Sequence, residues 1–475
     1  MATPNGFFHL MTLMLLYSSL LLILFSYIPQ KSVALESHFE NVAIECKRLL
    51  SDSKEMPQST IEVVHMYGPC SPAAEKTSLM NMPSTQLILD RDQVRVESLQ
   101  ARLKPKTKKN KYNSVQFENT KEVANLIVQS SPGDYAISIN LGTPGQELSL
   151  IFDTGSDLTW TRCKSNPYAS TSFSNISCNS PVCTQLLLDH TCDQFNDEEN
   201  LCFYEIQYGD GSYTKGLFSM DSLNITQTGD VFPDFLFGCS TETESHVAGI
   251  LGLGRDPAIS FLAQTEQTYK GIFSYCLPST PTSTGFLKLG PRSYPNDVKF
   301  TRFSTNSDYP SFYFIDVTSI KVGGVQLSID LSDFNYPGTI IDSGTVITRL
   351  SMNIYNTMRD EFQKQMNNSG YGNVQEYHLF DTPSVPKYKS TCYDTSNDSN
   401  IKVPIISFTF NDNVTIDLDG SATLYVIDST LACLAFAGNS DPGDLAIFGN
   451  TQQKKFEVVY DVDGGKLGFI HGGCN

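Results

Sequence analysis

The stretch that decides the fold is Ile151-Phe152-Asp153-Thr154-Gly155-Ser156. Its left side is apolar like a buried strand, and Asp-Thr-Gly then turns the chain sharply. A second copy comes much later, as Ile340-Ile341-Asp342-Ser343-Gly344-Thr345. Each copy sets one carboxylate on a tight turn behind an apolar run. Burying one ionised carboxylate is costly because it loses its hydration. Two buried together can share a proton, and their pKa values split apart. Such a pair is a general acid/base device for hydrolysis.

Outward from these turns the chain repeats itself. Ile250-Leu251-Gly252 follows the first turn at a distance, and Ile447-Phe448-Gly449 follows the second. Two similar halves that each supply an Asp loop and an apolar-apolar-Gly strand explain why the motif occurs twice. The small residues Thr154 and Ser343 are placed to hydrogen-bond across to the opposite loop, and Gly155 and Gly344 permit close backbone approach. Tyr208-Gly209-Asp210-Gly211-Ser212, behind strand-like Phe203 to Gln207, reads as a hairpin tip that could close over an extended substrate.

The 475-residue chain is long enough for two lobes plus processed segments. Its formal net charge is -18, from 33 Lys+Arg against 51 Asp+Glu. That balance argues against nucleic acid as a general partner. The 12 cysteines form no paired CxxC zinc pattern and there are only 7 His, so no metal is expected. Disulfides are the better reading and imply an oxidising compartment. The sequons at Asn175, Asn224, Asn367, Asn397 and Asn413 agree with it.

In chain order, residues 1–34 read as a signal peptide built on the uncharged apolar run Leu10 to Ile28, with a signal anchor as the alternative. Residues 35–125 read as a propeptide. Within it, Leu87 to Leu99 has helical spacing and many charges. The lysine-rich run Lys104 to Lys111 is either a solvated linker or a basic segment that pairs with active-site carboxylates and lets go as pH falls. Residues 126–300 form an expected N-terminal lobe, with a Cys-rich insert over 161–207 that has too little apolar pattern for much core. Residues 301–475 form the second lobe. Strands are expected over Tyr135–Leu141, Leu148–Phe152, Tyr309–Gly323 and Ile405–Phe410, and helices from Ser260 to about Tyr269 and through Met366.

Four pieces together are specific: Phe152-Asp153-Thr154-Gly155-Ser156-Asp157-Leu158-Thr159-Trp160, Tyr208 to Ser212, Ile341-Asp342-Ser343-Gly344-Thr345, and Ile447-Phe448-Gly449-Asn450-Thr451-Gln452-Gln453. They resemble the pepsin-like aspartic endopeptidases of the plant nepenthesin-like branch, over roughly Asp134 to Asn475. The stretch His65 to Pro72 resembles the pro-region of a plant subgroup described from chloroplast nucleoids. The resemblance implies an all-β, bilobal pepsin-like fold with a few short helices and the active site between the lobes. It makes Asp153 and Asp342 the catalytic pair, Ser156 and Thr345 their supports, and Tyr208 a flap residue bonded by the Trp160 indole. It implies bridges Cys163–Cys239, Cys276–Cys474 and Cys392–Cys433, with Cys178, Cys183, Cys192 and Cys202 in two more of open order. The branch usually carries extra cysteines after this Trp; here Thr161-Arg162-Cys163-Lys164-Ser165-Asn166 has only one, so one insert bridge is expected to be missing.

The expected function is hydrolysis of peptide bonds in proteins at acidic pH by a monomer that needs no cofactor and is held latent by its own propeptide. The expected location is the apoplast or vacuole. The alternatives are an inactive binding or inhibitor protein of this fold, and a plastid protease associated with nucleic acid.

Overall fold

The computed structural model describes residues 60–72, 84–103, 135–163, 170–185, 200–207, 213–243, 248–295, 298–335, 337–374, 390–396, 401–428, 430–472 and 474. The signal segment, the Lys104–Lys111 run, the Tyr208–Ser212 turn, Cys192 and Asn397 lie outside them.

Strands dominate, as the alternating sequence requires. In Tyr135–Leu141 the residues Tyr135, Ile137, Ile139 and Leu141 are all buried while Ser138 and Asn140 are half-buried, the period-two signature of a strand with one face on the core. This strand pairs antiparallel with Gln146–Asp153, which brings Leu148, Leu150 and Phe152 into the same core. They belong to a 14-stranded sheet that runs through both halves of the chain. Phe456–Asp461 pairs with Ile272–Cys276, and Lys466–His471 with Lys299–Arg302. The C-terminal strands thus lie beside strands from the 126–300 segment, and the Cys276–Cys474 disulfide ties the same region.

Thr60–His65 is a strand in the middle of this sheet, between Thr284–Leu289 and Tyr135–Leu141. Its Ile61 and Val63 are fully buried. This strand, from the segment expected to be a propeptide, therefore lies in the folded core.

The helices start where local chemistry says they should. Ser260 accepts from the Ala263 N–H at 3.2 Å and caps Phe261–Tyr269. Met352–Asn368 buries Ile354, Met358, Phe362 and Met366 at a spacing of four, one stripe against the core. Thr85–Leu103 is a third, 19-residue helix.

Two expectations need correction. The strand expected over Tyr309–Gly323 is only Val317–Val322, preceded by single bridges at Phe314. Pro310 has no N–H for a ladder, and the chain here instead aims the Tyr313 hydroxyl at the Leu253 carbonyl, 2.6 Å away. The Cys-rich insert holds more core than its composition suggests. It carries the strand Ser174–Asn175 and the short helix Pro181–Gln185, and Ile176, Cys183 and Cys202 pack with Trp160, Tyr204 and Phe218.

Candidate active site

Each Asp turn is built the same way. Asp153 ends the strand Gln146–Asp153, which runs parallel to Gly249–Gly252, and its carbonyl accepts from the Leu253 N–H at 2.9 Å. Asp342 follows Thr339–Ile341, which runs parallel to Ala446–Phe448, and its N–H donates to the Phe448 carbonyl at 3.1 Å. The repeat seen in sequence is thus a repeat of parallel strand pairing.

The two turns meet. The Thr154 N–H donates to Ser343 Oγ at 3.1 Å, and the Ser343 N–H donates to Thr154 Oγ1 at 2.9 Å. All four groups are buried, so each bond satisfies an amide that could not reach water. Asp153 accepts from the Ser156 hydroxyl at 2.5 Å and the Gly155 N–H at 2.9 Å. Asp342 accepts from the Thr345 hydroxyl at 2.6 Å and the Gly344 N–H at 3.0 Å. The glycines are required by proximity: a Cβ on Gly155 would lie 2.8 Å from Asp342 Oδ1, and one on Gly344 2.5 Å from Asp153 Oδ1.

Asn450 and Gln453, to which the sequence assigned no role, support the second turn. Asn450 Nδ2 donates to the Ser343 carbonyl at 3.0 Å, and Gln453 Nε2 to the Asp342 carbonyl at 3.1 Å. Both are fully buried, so the Gly-Asn-Thr-Gln-Gln string is a polar scaffold under the loop. Trp160 is buried in the insert cluster. Of the described sequons, Asn175, Asn367 and Asn413 are exposed and Asn224 is half-buried. The described disulfides are Cys163–Cys239, Cys183–Cys202, Cys276–Cys474 and Cys392–Cys433.

The site contains a residue that sequence reasoning missed. Arg95, from the Thr85–Leu103 helix, puts Nη2 at 2.8 Å from Asp153 Oδ1 and at 3.1 Å from Asp342 Oδ2. One nitrogen thus bridges both carboxylates. The basic group on the dyad comes from this helix; the Lys104–Lys111 run, open in sequence between a solvated linker and a segment pairing with these carboxylates, lies outside the described residues. The helix is fixed over the site on two apolar clusters: Ile88 and Leu89 pack with Val346 and Ile347, and Val96 and Leu99 with Phe312, Leu445 and Ile447. Gln100 pairs with both the N–H and the C=O of Leu445, at 2.6 and 2.8 Å.

Burial pushes both carboxyls up, since it disfavours the charged form. At Asp153 the Arg95 charge and the bonds from Ser156 and Gly155 outweigh burial and hold the pKa below the ordinary value. At Asp342 burial, helped by the nearby Asp153 charge, outweighs Arg95 and holds the pKa above it. Burial opposes the charge on Arg95, but the two carboxylates overcome it and keep the guanidinium firmly protonated. Among the described residues, no group of three or more His, Cys, Asp or Glu is placed to hold a metal.

Residues 135–291 match the family model described as "Xylanase inhibitor N-terminal", and 312–471 the one described as "Xylanase inhibitor C-terminal". The aspartyl protease AED1 of Arabidopsis thaliana is 40% identical over 437 residues, covering 88% of this chain and 87% of the relative. An aspartyl protease family protein of the same plant is 38% identical over 443 residues, 90% of each chain. The aspartic proteinase nepenthesin-1 of Nepenthes gracilis is 35% identical over 378 residues, covering 73% of this chain and 79% of the relative. Among solved structures, the soybean basic 7S globulin overlays with a TM-score of 0.56 at 19% identity, covering 71% of this chain and 91% of that one, a likeness of fold.

Proposed function

The chain belongs to the plant pepsin-like aspartic proteases, and from that premise we propose that it is an acid-active endopeptidase made in latent form, with Asp153 and Asp342 as its catalytic pair. The observation that carries the proposal is the union of the two Asp turns, joined by the reciprocal Thr154 and Ser343 bonds and bridged by one nitrogen of Arg95.

The chemistry follows from two carboxyls sharing one proton. On this reading Asp342 carries the shared proton and Asp153 is ionised. Asp153 takes a proton from a water molecule as its oxygen bonds to the peptide carbonyl carbon. Asp342 gives its proton to the carbonyl oxygen. The resulting diol collapses, the C–N bond breaks, and the leaving nitrogen takes back a proton. Protein and peptide chains are the substrates of this reading.

Latency is the work of Arg95. Its guanidinium sits where both carboxylates converge, so a substrate carbonyl and water cannot occupy that point while the helix is docked. The helix is thus an intramolecular inhibitor, and residues 35–125 are the segment to be removed, a step that also takes the strand Thr60–His65 out of its place between Thr284–Leu289 and Tyr135–Leu141. Passage through the secretory pathway fits the disulfides, which persist in oxidising compartments, and the exposed sequons.

The matched family models bear the name of xylanase inhibitors, and a binding protein of this fold is the competing reading. The complete set of dyad hydrogen bonds favours the enzyme. The test is cleavage of a denatured protein by the purified chain acidified to about pH 3–4. Cleavage blocked by pepstatin is expected, and none would end the reading.

A further inference from the structure

One helical turn before Arg95, the same helix buries a second charge. Asp92 Oδ1 accepts from the Val346 N–H at 2.6 Å, and Asp92 Oδ2 from Arg349 Nη2 at 2.6 Å and the Ile347 N–H at 3.4 Å. Gln93 Oε1 accepts from Arg349 Nη1 at 2.9 Å. Asp92 is 3% exposed and Arg349 1%. Three donors converging on one carboxylate make a built carboxylate site, and all three belong to the segment that leaves the catalytic turn of Asp342.

We infer that Val346, Ile347 and Arg349 form an acid-binding subsite of the substrate cleft, so that the activated enzyme favours an aspartate or glutamate side chain close to the bond it cuts. The inference rests on the protease reading above and names a substrate class for that site.

The internal repeat supports it. Arg349 pairs with Ile447 as Trp160 pairs with Ile250, and each stands seven positions after its Asp. One half fills this position with an uncharged, fully buried Trp; the other buries a guanidinium there. A buried guanidinium is tolerated where a carboxylate meets it. In the latent chain Asp92 is that carboxylate, and it is carried on the segment that must leave. When the helix withdraws, Asp92 and Gln93 go with it, and the two N–H groups and Arg349 are left beside the cleft that the helix had filled. A substrate carboxylate can engage the same donors in the same way.

Position and space are consistent. Asp92 is three residues from Arg95, about 4.5 Å along a helix axis. An extended substrate advances about 3.3 Å per residue, so its acidic side chain falls within a residue or two of the scissile bond. Beside Arg349 a groove of about 390 Å³ runs between the helix, with its Glu97, and the turn of Gly438, Asn439, Asp441 and Asp444. The net charge of the whole chain is -18, a field that repels acidic peptides. A preference for them must therefore come from a local site.

The test uses the acid-activated enzyme and fluorogenic peptides with apolar residues at the scissile bond, each flanking position carrying Asp or Asn in turn. At pH 5 a free Asp, with a pKa of about 3.9, is ionised. One position is expected to show a kcat/KM ratio of Asp to Asn of about tenfold or more. Arg349→Gln should bring that ratio to within about twofold, and Arg349→Lys should keep part of it. The ratio is taken within each enzyme, so loss of folded protein in a variant does not affect it. Neutral peptides cleaved with no acidic preference at any position would overturn the inference and leave the protease reading standing. If no peptide is cleaved, the protease reading fails. The same peptides, read by fluorescence anisotropy as ligands of the processed chain, then decide the subsite: tighter binding of the Asp peptides supports it, and equal binding overturns it.

Discussion

Replacing Arg95 by glutamine removes the cation that holds two buried carboxylates at once. Asp153 and Asp342 are 1% and 0% exposed, and Arg95 22%. Breaking a buried ion pair costs about 3–5 kcal/mol when the orphaned charge stays charged. Here the orphaned dyad relieves itself by taking up a proton, so the loss in helix docking is nearer to about 2–3 kcal/mol, roughly 30- to 150-fold in the open fraction. The assay is the initial rate of peptide cleavage at pH 5–6 by the full, unprocessed chain, with a gel to show that the chain is uncut. Wild type should be nearly silent and Arg95→Gln clearly active. Arg95→Lys should stay mostly latent, because a single nitrogen makes every contact. The pH dependence has a definite sign. Arg95 lowers the Asp153 pKa below the ordinary 3.8. Its contribution to docking is therefore complete above the free carboxyl value and is lost as pH falls through the lower, bound value. The raised pKa of Asp342 comes from burial and from Asp153, against the pull of Arg95, and does not reverse that sign. Acid should release the helix in wild type, and the release should be less pH-dependent in Arg95→Gln. An unprocessed Arg95→Gln chain that is as latent as wild type, with the same pH profile, would refute this reasoning.

Removing either hydroxyl of the loop-to-loop clasp, by Thr154→Val or Ser343→Ala, leaves a buried N–H without its acceptor and should cost about 1–3 kcal/mol. Calorimetry should show Tm lower by several degrees, with Thr154→Ser losing less. Gly344→Ala forces a Cβ to 2.5 Å from Asp153 Oδ1, so cleavage by the activated enzyme should fall by about a hundredfold or more, measured per folded molecule by circular dichroism and active-site titration.

How much of this was legible in sequence depended on range. The Asp turns declared themselves because each is local: an apolar strand, a carboxylate and a glycine in six residues, written twice. The helix starting behind Ser260 was legible for the same reason. Arg95 was not. It lies in a helix that also carries Asp90, Arg91, Asp92 and Glu97, and spacing alone does not say which charged residue faces the dyad. That is set by the docking of Ile88, Leu89, Val96 and Leu99, contacts that span about 250 positions, as the Arg95 to Asp342 separation of 247 shows. A denser basic run nearby, Lys104–Lys111, is the more visible basic feature in sequence. Thr60–His65 was missed as a strand because its register is fixed by partners at Thr284–Leu289 and Tyr135–Leu141. The supports Asn450 and Gln453 were visible as an unusual polar string, but their use became clear only once they were found buried beneath Ser343 and Asp342.

The central claim is that Asp153 and Asp342 act as one unit. It is tested most directly by acid cleavage with Asp153→Asn, Asp342→Asn and the double variant, each shown to be folded. Either single change should remove cleavage by about a thousandfold or more, and the double should do no worse, because residues that share one proton fail together. A single variant that keeps activity within tenfold of wild type, or losses that simply multiply in the double, would contradict it.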